Sequence, residues 1–296
     1  MSEGKRFVLV GLGELLWDLL PQGRQMGGAP ANFAYHAAAW GEEGVVVSCV
    51  GADPLGRELQ ERLADLGLET RHVAVDGRHP TGTVTVKLDA RGAPDFTIHA
   101  PVAWDFIPWS AELGELAGRA DCVCFGSLAQ RAEGSCATIR RFLDATRPDC
   151  LRVFDINLRQ AYYSLEVVEE SLRRSHVLKL NDSELPTVAA LFDLAGNVRD
   201  VVGALQRQFG LRLVVLTRGE HGSLLFQGGR AWEHPGTRVT VVDSVGAGDA
   251  FTAAVAVGLL RGADLGRIQE RANRIAAYVC TQAGATPPMP GELFRS

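Results

Sequence analysis

Apolar, strand-like runs alternate with helical patterns along most of this chain, and that rhythm restricts the fold more than any single motif. Phe7 to Val10, Val45 to Val50, Cys122–Phe125, Leu151–Asp155, Val177–Leu180 and Leu213–Thr217 read as strands. Pro30 to Trp40 is Ala-rich, carries Pro in its first turn and is closed by Gly41, which reads as a helix. Asp53 caps another, with Pro54 at its first position and Leu55, Leu59, Leu63 and Leu66 at helical spacing. Such alternation predicts an α/β fold with a mostly parallel central sheet between two helical layers. A length of 296 residues suits one large domain over 1–296, and no repeat or low-complexity linker divides it.

One region breaks the rhythm. Thr83, Thr85 and Lys87 alternate with Val84, Val86 and Leu88, a turn follows at Asp89 to Gly92, and a second strand lies around Phe96 to His99. This predicts an antiparallel hairpin with one polar face. Leu15 to Leu20 could add a further strand. The expectation is a small β-sheet lid built from about 13–26 and 81–100; the plainer alternative is a surface hairpin without function.

Composition narrows the partners. With 30 Lys+Arg against 35 Asp+Glu the net charge is −5, a poor basis for nucleic-acid binding. Lys5 and Arg6 precede an apolar run as in a signal peptide, but Glu14 and Asp18 interrupt it and no small-residue cleavage site follows. No stretch approaches the roughly 20 apolar residues of a membrane span. Cys122 and Cys124, two apart in an apolar run, predict thiols on one face of a buried strand, and none of the six cysteines forms a C-x-x-C pair. These features predict a soluble, cytoplasmic protein with no membrane or nucleic-acid partner. Lys5, Lys87 and Lys179 are the only lysines, so few remain for a Schiff base or a phosphate-loop lysine.

Five segments carry chemistry. In Asp243-Ser244-Val245-Gly246-Ala247-Gly248-Asp249-Ala250-Phe251, two glycines precede an Ala-rich helix running to about Leu260. Unpaired amides at such a helix start make an anion site. Asp249 lies in the first turn, where a carboxylate could also serve only the helix. Gly27-Gly28-Ala29-Pro30-Ala31-Asn32 is a second glycine-rich entry to a helix, and Asn32 is unfavourable there by propensity. Asn181-Asp182-Ser183-Glu184 follows the strand holding Lys179, at the end where α/β sheets place ligands; Ser183 as a helix cap is the plain alternative. Thr217-Arg218-Gly219-Glu220-His221-Gly222 and Asp155-Ile156-Asn157-Leu158-Arg159 also follow strands, and Arg159 could grip a phosphate. Gly11-Leu12-Gly13 lacks the third glycine of a dinucleotide fingerprint, since position 16 is Leu16. No G-x-x-x-x-G-K-[ST] or H-E-x-x-H is present.

Together these segments resemble the ribokinase-like, or PfkB, family of sugar kinases. Asp243 to Phe251 matches the signature D-[ST]-x-G-A-G-D-x-F in full, and Gly27 to Gly41 resembles the other signature. Asn181 and Glu184 match N-x-x-E, while Thr217, Gly219 and Gly222 match T-x-G-x-x-G. Gly51, Asp53 and Gly56 also fit, and Gly284-Ala285-Thr286-Pro287 looks like the loop that closes the nucleotide site. The resemblance implies a three-layer αβα fold, ATP and Mg²⁺ as cofactors, and a small-molecule sugar as substrate. It implies Asp249 as the base for the sugar hydroxyl proton, with Gly246, Ala247 and Gly248 as the anion hole. It implies Asn181 and Glu184 around Mg²⁺ through water, Thr217, Gly219 and Gly222 on the ATP phosphates, and Asn273 near the adenine. Asp18, Gly28 and Asn32 would hold sugar hydroxyls and Arg159 would neutralise phosphates. Gly13-Glu14-x-x-x-Asp18, Gly126 to Ala129 and Asp155-x-Asn157-Leu158-Arg159 resemble bacterial fructokinases. Where those often carry an Arg and an Ala-Asp pair, this chain has His99 to Asp105, a stretch expected to face the sugar. The fructokinase-like segments make fructose the expected substrate, and the departure at His99 to Asp105 bears on which sugar is taken. 2-Keto-3-deoxygluconate, another ketose, a nucleoside and a non-catalytic sugar sensor stay open, as do a homodimer and a monovalent cation such as K⁺ near Asp243.

Overall fold

A computed structural model describes residues 5–20, 23–88 and 94–294. In chain order its first half contains β1 (Val8–Leu12), β2 (Leu16–Leu20), β3 (Gly23–Gly27), α1 (Ala29–Ala39), β4 (Glu43–Gly51), α2 (Pro54–Asp65), β5 (Val73–Asp76), β6 (Gly82–Leu88), β7 (Pro94–Ile98), α3 (Ala111–Arg119), β8 (Cys122–Phe125) and α4 (Glu133–Ala145). The second half contains β9 (Leu151–Asp155), α5 (Leu165–Arg173), β10 (Val177–Asn181), α6 (Leu185–Leu191), α7 (Val198–Phe209), β11 (Leu213–Thr217), β12 (Ser223–Gln227), β13 (Arg230–His234), α8 (Ala247–Leu260) and α9 (Leu265–Cys280).

The large sheet runs β13-β12-β11-β10-β9-β8-β1-β4-β5. It is parallel from β11 to β5, and antiparallel β12 and β13 close one edge. Successive strand residues point to opposite faces, and β1 shows the consequence. Val8, Val10 and Leu12 join the core beneath α3 to α7, whereas Leu9 joins Phe33 of α1 and the apolar residues of α8 and α9. Cys122 and Cys124 sit together on that second face, as their spacing predicts. The result is three layers.

The caps explain two helix starts. Asp53 Oδ1 accepts from Gly56 N at 2.8 Å and starts α2. Ser183 does not cap α6; Asn181 Oδ1 accepts from Glu184 N at 2.9 Å and also from the Ser183 hydroxyl.

A second sheet runs β3-β2-β6-β7. Its hairpin β6–β7 is antiparallel, but β2 lies parallel to β6, so the sheet is mixed. The expected turn at 89–92 falls outside the described residues. Val84 is buried and Thr83 and Thr85 are partly exposed, the two-faced pattern read from the sequence. The sheet is anchored at Thr81, whose N and Oγ1 reach Asp53 at 2.8 and 2.7 Å and whose Oγ1 accepts from Gly51 N at 3.0 Å. A Cβ on Gly56 would lie 2.2 Å from Gly51 O, so the Gly51, Asp53, Gly56 spacing is a packing requirement of this anchor. Among the described residues no helix is long and apolar enough to cross a membrane.

Candidate active site

Most of the predicted segments meet along one rim of the large sheet, because β9, β10 and β11 are adjacent and end at Asp155, Asn181 and Thr217. Carboxyl ends of parallel strands are where such sheets place ligands.

At the centre is the start of α8. Gly246 takes φ 78°, in the left-handed region, and no side chain caps the helix. A Cβ there would lie 2.6 Å from both Ala285 Cα and Ala285 O, so only glycine fits. The first amides of α8 have no acceptor within the helix, the kind of group that can receive an anion, although Ala247 N donates to Ser244 O at 3.3 Å in the preceding loop. Asp249 stands in this first turn, and Asn32 Nδ2, from α1, donates to its Oδ2 at 2.8 Å. Asp249 is partly exposed as a residue, but burial of its carboxyl, followed by the nearby Asp155 charge, raises it to about 6. The Asn32 bond, Lys179 and Arg159 oppose that rise.

Directly beneath lies a group the sequence did not single out. Lys179, buried on β10, donates to Asp155 Oδ1 at 2.9 Å, and Thr252 Oγ1 donates to Asp155 Oδ2 at 2.8 Å. A Cβ on Gly248 would lie 3.1 Å from Lys179 Nζ, so the ammonium sits against the Gly246 to Gly248 loop. The available signal was a lysine inside an apolar strand, in a chain with three.

On one side are the residues expected to hold sugar. Asp18 of β2 lies against Gly27, where a Cβ would approach Asp18 Oδ2 to 2.4 Å. Burial raises its carboxyl to about 6, against the pull of Arg159. Gly28 takes φ 116°, with Glu14 O 2.4 Å from its would-be Cβ. Glu14 was not anticipated as a site residue. It is buried, its Oε2 has no partner, and burial raises it to about 7 despite amide bonds at Glu14 and Ala29 and the Arg159 charge. Arg159 is exposed, beside Asn157 and Gln160 at φ 44° and 49°.

An acid raised in the folded state costs stability as pH rises from its ordinary 4.5 to about 7, and the cost is complete above that. Glu14→Gln is therefore expected to gain stability over the natural protein across that window, by roughly 3 kcal/mol at the top. Urea midpoints at pH 5 and pH 8 check this, and a pH-independent difference would mean Glu14 carries no such burden.

On the other side, Glu184 is buried, with Oε2 accepting from Asn181 N at 2.8 Å and Oε1 from Leu158 N at 2.9 Å. Burial raises its carboxyl, and Lys179 opposes. Gly219 and Gly222 take φ 54° and 78°; a Cβ on Gly222 would lie 2.0 Å from His234 O, whereas Gly219 faces open space. Thr217 Oγ1 points back to Leu180 O at 3.4 Å. Asn273 is buried, and its Nδ2 donates to Ser223 Oγ and Gln269 O, both at 2.8 Å. Its amide nitrogen thus braces the strand that follows Gly222.

The stretch from His99 to Asp105 differs from expectation. His99, Ala100 and Pro101 are exposed, but Val102 to Asp105 are buried, with Trp104 in the core and Asp105 paired to Arg131 at 2.7 Å. Its first three residues are thus open to solvent, and the rest are packed inside.

A carboxylate beside an uncapped, glycine-led helix start, on the rim of a doubly covered parallel sheet, sets a proton acceptor next to backbone that can receive an anion. The chain belongs to the pfkB family of carbohydrate kinases, whose profile it matches over residues 22–292, and it is a sugar kinase of that family. It is 34% identical over 262 residues to a fructokinase of Salmonella typhimurium, covering 84% of this chain and 83% of that one. A solved sugar kinase of Pyrococcus horikoshii in complex with ATP is 28% identical, with a TM-score of 0.79 and 94% of each chain covered. The fructokinase of Vibrio cholerae with fructose, ADP and calcium is 26% identical, with a TM-score of 0.80 over 95% of this chain and 94% of that one.

Proposed function

We propose that this protein is an ATP- and Mg²⁺-dependent kinase for fructose, with Asp249 accepting the proton of the sugar hydroxyl. One observation carries this reading: a carboxylate with a raised pKa stands in the first turn of α8, a helix start that no side chain caps, and is held by Asn32. Phosphoryl transfer needs positioning, charge neutralisation and a proton acceptor. ATP would supply the phosphoryl group and Mg²⁺ would neutralise its charge.

The residues suit both. Gly219 leaves open space beside the Thr217 to Gly222 turn, and the amides of Gly246 to Gly248 offer an anion hole. Among the described residues no group of three or more His, Cys, Asp or Glu could hold a metal ion alone. Magnesium prefers water and phosphate oxygens, so Glu184 and Asn181 would act through water. Asn273 would support the adenine side through Ser223. On the sugar side, Asp18, Gly28 and Asn32 would bind hydroxyls, and Arg159 would offset charge on the transferring group. Fructose is favoured by the Glu14 and Asp18 spacing and by the fructokinases among the relatives. A coupled ADP-release assay over fructose, other ketoses, 2-keto-3-deoxygluconate and nucleosides tests it; a stronger response to another acceptor would overturn fructose, and none at all would overturn the kinase reading.

The base must be ionised to work, and it is protonated below its pKa. With Asp249 and Asp18 both near 6, kcat/KM for the sugar is expected to fall as pH drops through about 6. A profile flat down to pH 4.5 would count against either carboxylate acting in ionised form. The β2-β3-β6-β7 sheet would serve as the lid that excludes water. Hydrogen exchange should slow in β6 and β7 on adding sugar, and unchanged exchange at saturation would leave that sheet a fixed wall.

A further inference from the structure

Three polar side chains lie on one face of α1, in an otherwise Ala-rich helix. Asn32, Tyr35 and His36 stand at i, i+3 and i+4, so they share a face. Each reaches a part of the chain more than 200 residues away. Asn32 Nδ2 donates to Asp249 Oδ2 at 2.8 Å, Tyr35 Oη donates to Pro287 O at 2.6 Å, and His36 Nε2 lies 3.0 Å from Ala285 O. A carbonyl can only accept, so Nε2 is the protonated nitrogen of His36. The same Ala285 carbonyl oxygen is 2.6 Å from the Cβ that Gly246 lacks. Opposite α1, Asp243 accepts from Gly284 N and Val245 N, both at 3.0 Å. The 284–287 segment is thus clamped between α1 and the loop that opens α8.

We propose that α1 couples the sugar site to the nucleotide site, with Tyr35 and His36 as positioning residues that hold the 284–287 loop against Gly246 while Asn32 holds Asp249. The inference rests on the functional reading above, in which Asn32 meets the sugar and the Gly246 to Gly248 amides meet the phosphates, and on the resemblance of 284–287 to the loop that closes the nucleotide site. A sugar that settles Asn32 settles the helix, and the helix settles Ala285 and with it the anion loop. His36 is almost fully buried, so its bond to Ala285 is shielded from competing water. Coupling of this kind is reciprocal: each ligand must tighten the other by the same factor.

Calorimetric titration of a non-hydrolysable ATP analogue with Mg²⁺, with and without saturating fructose or the panel sugar turned over best, measures that factor. The natural protein should bind the analogue about tenfold more tightly with sugar present. In the double variant Tyr35→Phe with His36→Leu the ratio should fall towards one, and His36→Gln, which keeps a donor, should retain most of it. A purely structural role would lower Tm while leaving the ratio intact. Should the double variant not fold, Tyr35→Phe alone loses one partly exposed hydroxyl and should still lower the ratio. An unchanged ratio in either variant, or a ratio of one in the natural protein, overturns the inference. Absence of turnover with every sugar overturns the functional reading, and the inference falls with it, so the two failures are told apart by the turnover assay.

Discussion

Asp249→Asn is expected to lower kcat by about 10²–10⁴-fold, or roughly 3–5 kcal/mol of barrier, while Tm and ATP affinity stay close to those of the natural protein. Asparagine is nearly isosteric, and its amide oxygen can still accept from Asn32 Nδ2, which now meets Asp249 Oδ2 at 2.8 Å. The amides of Gly246 to Gly248 are untouched. An amide cannot take the hydroxyl proton, so the loss should fall on the chemical step. Removing a negative charge beside the phosphates could only favour nucleotide. If Asp249 served the helix alone, the change would be small, since a first-turn carboxylate contributes about 0.3–1 kcal/mol. Steady-state kcat, nucleotide titration and thermal melting together decide it. A kcat within about fivefold of the natural value, well short of general-base effects, would leave Asp249 a helix residue.

The second large effect is on stability. Lys179→Met should cost about 3–5 kcal/mol, because it leaves the Asp155 carboxylate buried with only the Thr252 hydroxyl for company. Both partners are buried, so water cannot replace the lost ammonium. Adding Asp155→Asn should recover much of the loss, since the charge that lacked a partner is gone and Thr252 can still donate to the amide oxygen. Urea unfolding of the two single variants and the double gives the coupling directly. A cost for Lys179→Met below about 1 kcal/mol, typical of exposed pairs, would show that the pair is not desolvated. Activity should also move: Lys179 opposes the rise at Asp249, so its loss should carry the acid limb of the pH profile to higher pH.

Much of this protein was written locally. The strands at Cys122–Phe125, Leu151–Asp155 and Leu213–Thr217 occur at the predicted bounds, because a short apolar run between turn signals specifies a buried strand by itself. The Asp53 cap and the glycine-led start of α8 were equally legible, since caps and left-handed turns depend on a few adjacent residues. The segments proposed to bear the chemistry could be picked out one by one, each at the end of a strand or the start of a helix.

What joins them was decided by the tertiary structure. No local pattern says that β2 lies parallel to β6, that Val102 to Asp105 turn into the core, or that Glu14 loses its water. Asn32 and Asp249 touch across 217 positions only because α1 and α8 pack on the same face of the sheet. Lys179 meets Asp155 because β10 lies beside β9 in register. Both contacts depend on strand order and layer packing, which arise from the whole chain burying its apolar surface at once, while helix and strand periodicities report only which face of one element avoids water.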